Sequence, residues 1–282
     1  MDIIKTIGNS RKYTFHSHTQ FCDGRAPMAD FAAEAVRRVF THYGFSPHSP
    51  VNIPSPCNML VSDVAAYLAE VRRLDERYDG VTHFYAGMEI DYLGDDCGPA
   101  TDYFQSLGLD YSIGSVHFIP AQDGTPVDID GRFEAFSRKM HEHFHDDIRY
   151  VVETFYEQSC RMVEAGGFDI LGHLDKIGHN ASSWQPGIED EPWYQALVDD
   201  YIDLIIDRRP IVEINTKQKI DYDRIFPSER LLPRLIDAGL DIIVNSDAHL
   251  PALIDASRDY AFGLLDNYKS AYEPKIRQTA SA

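Results

Sequence analysis

Half of the twelve histidines in this 282-residue chain lie near acidic residues in short clusters. The clustered residues are His16, His18, Asp23, His48, Glu89, His117, His173, Asp247 and His249. Imidazoles and carboxylates together are typical ligands of first-row transition metals. The set has more members than one ion needs, so we expect a multinuclear metal site that supports metal-assisted hydrolysis.

The spacing within two of these clusters favours shared ligation. His16 and His18 alternate along a predicted extended segment, so their imidazoles point to the same side, and Asp247 and His249 repeat this arrangement. One such pair is weak evidence, and a lone histidine such as His117 is more often a buried, hydrogen-bonded side chain. Six predicted strand ends with a ligand-type residue are difficult to explain by packing alone, which favours metal binding.

The elements that must position these residues alternate between strands and amphipathic helices. The predicted strands are residues 13–15, 42–45, 84–90, 111–116, 170–171, 211–214 and 242–244. The predicted helices begin near residues 28, 64, 151, 193 and 228. Strands that alternate with helices predict a parallel sheet, and ligands at the carboxyl ends of the strands predict a closed barrel. An open sheet would keep the first and last strands apart.

We therefore predict an α/β protein with one domain over residues 1–282. The polar segment from Pro120 to Asp146 is expected to be an elaborated loop, and the tail from about residue 267 is expected to fray. Six histidines lack a partner by pattern and are interpreted as solvated or packing side chains: His42, His83, His141, His143, His145 and His179.

Composition excludes several classes of function. The formal net charge is −19 and no block of lysine or arginine interrupts it, so binding to nucleic acid is not expected. No apolar run has the length of a signal peptide or a membrane span, so we expect neither secretion nor membrane insertion. The four cysteines form no C-x-x-C pair, which favours reduced thiols and a cytoplasmic protein. Oligomeric state is left open.

Seven short motifs occur in order along most of the chain. They are HSHTQFCDG (16–24), YGFSPHSP (43–50), GMEIDY (87–92), GSVHF (114–118), GHLD (172–175), EINT (213–216) and NSDAH (245–249). Together they resemble the PHP (polymerase and histidinol phosphatase) superfamily, and within it the monofunctional histidinol-phosphate phosphatases. One departure is Pro47, because the family commonly has an acidic residue before the motif-two histidine.

The resemblance implies a distorted seven-stranded (β/α)7 TIM-like barrel and three divalent metal ions, which are zinc, manganese or iron. One ion would bind His16, His18, Glu89 and Asp247. Glu89 would bridge to a second ion that is also held by His117 and His173. The third would bind Asp23, His48 and His249.

The activity that the resemblance implies is hydrolysis of L-histidinol phosphate to L-histidinol and phosphate, a step of histidine biosynthesis. A metal-bridging water, held by way of Glu89, Asp247 and His249, is the expected nucleophile. The basic residues expected at the phosphate are Arg25, Lys176 and Lys217. Asp91, Asp175 and Glu213 are left with two possible roles, which are binding the substrate ammonium and orienting a metal ligand.

Alternative functions follow from the same motifs. The chain could hydrolyse another small phosphorylated metabolite or a nucleotide, or cleave phosphodiesters as an exonuclease-like relative. It could also be a metal-binding accessory module without catalytic activity. The acidic composition argues against the exonuclease, and the intact set of nine ligand-type residues argues against the silent module.

Overall fold

The computed structural model describes residues 2–279, and side chains as far as residue 268. The strands are β1 (Tyr13–Thr14), β2 (His42–Phe45), β3 (His83–Ala86), β4 (Glu89–Asp91), β5 (Ile113–Ser115), β6 (Phe118–Pro120), β7 (Pro126–Asp128), β8 (Ile170–Leu171), β9 (Ile211–Asn215) and β10 (Ile242–Asn245). The helices are α1 (Ile3–Asn9), α2 (Met28–Arg37), α3 (Val64–Arg77), α4 (Asp102–Gln105), α5 (Phe133–His143), α6 (Ile148–Ala165), α7 (Ile177–Trp184), α8 (Pro192–Arg208), α9 (Lys219–Tyr222), α10 (Leu232–Asp237) and α11 (Arg258–Thr279).

The α/β architecture with parallel strands is confirmed. One sheet has the order β1-β2-β3 and the other the order β10-β9-β8-β5-β4, and every pairing within them is parallel. Strands β6 and β7 form a separate antiparallel hairpin. In the described residues the ladders therefore form two sheets and not one continuous ring.

The predicted strand 84–90 is divided between the two sheets. The chain leaves β3 at Ala86 and enters β4 at Glu89. A Cβ at the intervening Gly87 would lie 2.1 Å from the ring of Tyr111, so only glycine allows the chain this close to that ring. The sequence predicts one continuous strand because apolar residues run through both β3 and β4. The two strands nevertheless pair with different neighbours.

Side chains join the two sheets where β1 lies beside β10, and we call this junction the seam. The backbone N–H of Phe15 donates to Asn245 Oδ1 at 2.8 Å, and that of Val244 donates to the Tyr13 hydroxyl at 3.2 Å. The buried guanidinium of Arg258 donates to the carbonyls of Val244 and Tyr13. Isolated parallel bridges join Ser17 to Ala248 at the seam, and His48 to Glu89 at the opposite junction.

The prediction of a loop from Pro120 to Asp146 was wrong in part. This segment contains strand β7 and helix α5. Phe136 and Met140 on α5 are fully buried, and the three residues between them are polar, with only Arg138 exposed. Phe133, Phe136 and Met140 recur at helical spacing, so the helix was missed because the many polar residues of the segment favoured a loop.

The remaining helices pack their apolar faces against the sheets. Helix α3 lies against β3, and α6 packs on α8 through a core that includes Val152, Phe155 and Tyr201. We predict that the tail from about residue 267 frays, but helix α11 continues to Thr279. Residues 280–282 lie outside the described residues. No helix within residues 2–279 has both the length and the apolar character needed to cross a bilayer.

Candidate metal centre

Glu89 lies at the middle of the predicted ligand set. Its Oε2 atom is 3.3 Å from His16 Nε2, 3.5 Å from His18 Nε2 and 3.0 Å from His48 Nδ1. His16 and His18 follow the carboxyl end of β1, and His48 follows that of β2. Glu89 is the first residue of β4, so three segments converge here. The parallel bridge between His48 and Glu89 brings those two together directly.

The second carboxylate oxygen of Glu89 faces two further histidines. Oε1 lies 2.8 Å from His173 Nε2 and 3.4 Å from His117 Nε2, and the two imidazole nitrogens are 3.3 Å apart. Ser115 donates its hydroxyl to the same oxygen at 2.8 Å. The two oxygens of one carboxylate are therefore available to two different groups of imidazoles, which is the arrangement a bridging ligand needs.

Asp247 follows β10 and contacts the first group. Its Oδ1 is 3.1 Å from His18 Nε2 and 3.8 Å from His16 Nε2. Asp247 adopts a left-handed backbone conformation with φ of 49°, which is uncommon for a residue with a Cβ. Conformations of this kind are concentrated at functional sites, where the surrounding structure maintains them.

A third group forms around Asp23. Its Oδ1 is 3.3 Å from His249 Nε2, 3.7 Å from His18 Nδ1 and 3.8 Å from His48 Nε2. The tight turn that presents Asp23 needs Gly24, because a Cβ there would lie 2.3 Å from the backbone of His18. Burial raises the pKa of Asp23, but the neighbouring imidazoles outweigh it and hold that pKa well below the usual range.

All nine predicted ligands thus lie together, and three subsets of the described residues have ligand atoms close enough to share an ion. The subsets are His18, Asp23, His48 and His249; His16, His18 and Asp247; and His48, Glu89 and His117. They overlap with the predicted sets but assign His18 and His48 to more than one group.

Four of the buried ligand atoms have no hydrogen-bond partner: His16 Nε2, His18 Nε2, Glu89 Oε2 and Asp23 Oδ1. A buried polar atom without a partner costs about 1–3 kcal/mol. These atoms face one another across the cluster, so cations between them would satisfy all four. The donor set of imidazole nitrogens and carboxylate oxygens fits zinc, manganese or iron.

Two carboxylates contact predicted ligand histidines at the ring nitrogen that points away from the centre of the site. Glu213 Oε1 is 2.6 Å from His16 Nδ1, and Asp91 Oδ1 is 2.6 Å from His117 Nδ1. Of the two roles left open for these residues, the structure favours orienting a ligand. The N–H of each ring then faces its carboxylate and the Nε2 atom faces the centre, as in carboxylate–histidine–metal triads.

The site holds an excess of negative charge. Burial lowers the pKa of His16, but Glu213, Asp247 and Glu89 outweigh it and raise that pKa well above its ordinary value. His173 shows the opposite behaviour, because burial and the ammonium of Lys176 lower its pKa to about 4. A neutral imidazole is the form that binds metal.

Pro47 leaves His48 without an acidic neighbour in the sequence, and of the two carboxylates near its ring, Glu89 is closer than Asp23. His48 Nδ1 lies against Glu89 Oε2, while its ring lies 4.4 Å from the ring of His18. The carbonyl of Pro47 accepts the N–H of Glu89 at 3.1 Å, so the backbone positions this loop. Asp175 has neither of the roles left open for it, because it is buried, outside the cavity lining, and accepts the N–H of Ser228 at 2.8 Å.

A cavity of about 480 Å³ opens over the cluster, and two of the three residues predicted to bind phosphate line it. Arg25 and Lys217 line this cavity, and Lys217 Nζ is 3.3 Å from Asp247 Oδ1 and from His249 Nε2. Lys176 is largely buried and pairs with Asp130 at 2.6 Å. Asp130 follows β7 in the segment predicted to be a loop, so no pattern in the sequence indicated its role.

The histidines that we predict to take no part in metal binding, and the thiol of Cys22, lie outside the ligand groups of the described residues. None of the six histidines left out belongs to a ligand group among the described residues. Cys22 Sγ lies 3.5 Å from His18 Nδ1, and burial raises the pKa of this thiol to about 12. Cys22 belongs to none of the three ligand groups of the described residues, which favours a packing role beside His18.

Comparison with known proteins decides the family. Residues 14–217 match the PHP domain, which is most of the chain. The chain belongs to the PHP domain family. The resemblance inferred from the seven motifs is therefore confirmed, and the match ends just beyond β9, before the Asp247 motif.

Relatives of this PHP protein carry related names. A protein of Deinococcus radiodurans named "Probable histidinol-phosphatase" is 23% identical over 84% of this chain and 85% of its own. The Histidinol-phosphatase of Bacillus subtilis is 30% identical over 58% of this chain and 63% of its own. A crystal structure of histidinol phosphate phosphatase from Lactococcus lactis, complexed with zinc, L-histidinol and phosphate, is similar in fold, with a TM-score of 0.70. It is 18% identical, and the match covers 92% of this chain and 94% of that one.

Proposed function

We propose that this protein is a metal-dependent phosphatase that converts L-histidinol phosphate to L-histidinol and phosphate. The observation that carries the proposal is the set of buried, unpartnered nitrogen and oxygen atoms that face one another below a cavity with basic residues. The two named relatives and the liganded structural neighbour support the substrate. The reaction belongs to histidine biosynthesis.

We assign three divalent ions to the site, with zinc, manganese or iron as candidates. His16, His18, Glu89 and Asp247 would hold the first, Glu89 with His117 and His173 the second, and Asp23, His48 and His249 the third. Bound ions of this kind supply an activated water and neutralise phosphoryl oxygens. Glu213 and Asp91 fix the two ring orientations that this requires.

The phosphate end of the substrate would contact the basic residues. Lys217 extends into the cavity beside the third ligand group, and Arg25 lies on the cavity wall. Lys176 provides a fixed ammonium, because Asp130 and the nearby ligand carboxylates keep its pKa above the usual value in spite of burial. Positive charges at these points offset the charge that develops on the phosphoryl group.

The two sheets and their junctions fit a distorted seven-stranded (β/α)7 TIM-like barrel, which we propose as the overall architecture. Support comes from the bridges at both junctions. One joins the segments that follow β1 and β10, and the other joins the segment after β2 to the first residue of β4. A single domain over residues 1–282, a small-molecule partner without nucleic acid or membrane, and a cytoplasmic location stay predictions.

Phosphate release after reconstitution with manganese, zinc or iron tests the function. We expect turnover of L-histidinol phosphate to exceed that of sugar and nucleotide monophosphates. His16→Ala and His249→Ala should abolish turnover and lower the bound metal, whereas the exposed His83→Ala is the matched control. Equal rates on all esters would indicate a different phosphatase, and stoichiometric metal without hydrolysis would indicate an accessory module.

A further inference from the structure

The mouth of the cavity has apolar side chains that the chemistry at the metal ligands does not use. Ile220 and Tyr222 on α9, with Leu250 and Leu253 after β10, line the cavity, and all four are among the exposed large hydrophobic residues. Ile220 is 63% exposed and Leu253 is 38% exposed. Leaving such side chains in water forgoes the stabilisation of their burial, so their clustering at a binding cavity needs a reason.

These four residues form one wall because their two loops are neighbours. Strands β9 and β10 pair in parallel, so the segments that leave their carboxyl ends lie side by side. The hydroxyl of Thr216, which follows β9, donates to the carbonyl of Ala256 at 2.7 Å and ties the two loops together. The ring of Tyr222 is further supported by an edge contact with His179 at 4.4 Å between centroids.

The rest of the cavity lining has a different character. Asp91, Asp128 and Asp130 come from β4 and from the hairpin region. Lys217 and Arg25 lie near the metal ligands. The cavity therefore has Lys217 beside the metal ligands and, along the β9 and β10 loops, a mainly apolar wall that also includes Asp221. A phosphate ester whose phosphate is at the metal ligands would extend its organic part towards that wall.

We propose that the wall of Ile220, Tyr222, Leu250 and Leu253 binds the ring of the substrate and selects phosphate esters that carry an aromatic ring. The inference rests on the proposed function and extends it, because it assigns the residues that distinguish L-histidinol phosphate from ringless amino-alcohol phosphates. The flat imidazole would cover side chains that are otherwise exposed. Contacts of this kind distinguish substrates by about 10- to 200-fold for one small apolar group.

The test compares two substrates that differ only in the ring, L-histidinol phosphate and L-alaninol phosphate. We expect the ratio of their kcat/KM values to fall about tenfold in the double variant Ile220→Ser, Leu253→Ser, mainly through KM for the ring-bearing ester. Ile220→Leu should keep the wild-type ratio. Ile4→Ser, which removes an isoleucine that is 52% exposed on α1, is the matched control.

A binding measurement supplies a second readout. Calorimetry should show that L-histidinol binds the double variant about tenfold more weakly than the wild type, with circular dichroism confirming an unchanged fold. If the double variant keeps the wild-type ratio and the wild-type affinity for L-histidinol, the proposal is overturned. If the metal-loaded wild type hydrolyses neither ester, the proposed function itself fails, and the ring subsite fails with it.

Discussion

At the residue scale, the clustering of the proposed ligands could be predicted because their chemistry is local in sequence. Pairs such as His16 and His18 are recognised by their spacing. His48, His117 and His173 each lie two or three residues beyond the end of a strand. Asp130, the partner of Lys176, could not be found in this way. Asp130 reaches Lys176 across 46 positions of chain, and only folding brings the two within 2.6 Å.

Asp130 acts as a positioning residue for Lys176, and this can be tested. Asp130→Asn removes the negative charge that pairs with the Lys176 ammonium but keeps a hydrogen-bond acceptor, so we expect kcat/KM for L-histidinol phosphate to fall about tenfold. Competitive inhibition by inorganic phosphate should weaken in parallel, because the loosened ammonium binds phosphate less well.

A double-mutant cycle with Lys176→Met separates positioning from a structural role. The effects of Asp130→Asn and Lys176→Met should be strongly non-additive, because both act through one ammonium. Asp207→Asn, at a site that is 78% exposed, is the control. Additive effects with an unchanged inhibition constant for phosphate would contradict the assignment.

At the scale of elements, periodicity predicted the strands and the strongly amphipathic helices well. It failed where polar residues outnumber the residues of a helical apolar face, as in α5, and where one apolar run served two sheets, as around Gly87. Both failures have the same physical origin. The local sequence pattern indicates which residues are buried. Which strands pair and how helices pack are decided by contacts between distant segments.

Helix α5 should contribute substantially to stability, although we did not predict it from the sequence. Phe136 is fully buried, so Phe136→Ala should lower the free energy of unfolding by about 3–5 kcal/mol, as measured by urea denaturation. Phe133 on the same helix is only partly buried, and Phe133→Ala should cost clearly less. Equal costs for the two variants would mean that α5 does not pack as described.

The ion pair between Glu189 and Arg224 should make stability depend on pH. The two side chains are joined by hydrogen bonds of 2.7 and 2.9 Å. Burial raises the pKa of Glu189, but Arg224 outweighs it and the net shift is downwards. This stabilisation is present above the unfolded-state pKa of about 4.3 and is lost as pH falls through the lower folded-state pKa.

Replacing Glu189 with glutamine removes this titration. Between about pH 5 and pH 3, the unfolding free energy of Glu189→Gln should therefore decline less steeply than that of the wild type. Urea denaturation at a series of pH values measures the difference. Glu153→Gln, in an exposed pair with Arg149, should retain the wild-type slope.

At the scale of the whole molecule, the net charge of −19 and the acidic centre should make the apoprotein responsive to cations. Zinc or manganese at 100 times its dissociation constant should stabilise the fold by about 2.7 kcal/mol. The melting temperature should therefore rise on titration with either metal and return to its starting value with chelator. In Asp247→Asn the rise should be much smaller, and an equal rise there would place the ions elsewhere.

The seam between β1 and β10 depends on the identity of its side chains. A backbone ladder survives almost any substitution, but here Asn245, Tyr13 and Arg258 supply the donors and acceptors. Single substitutions at these positions can therefore weaken or strengthen the contact between β1 and β10 without displacing either strand. Homologues that differ at these three positions should differ in how readily amide hydrogens of β1 exchange with solvent.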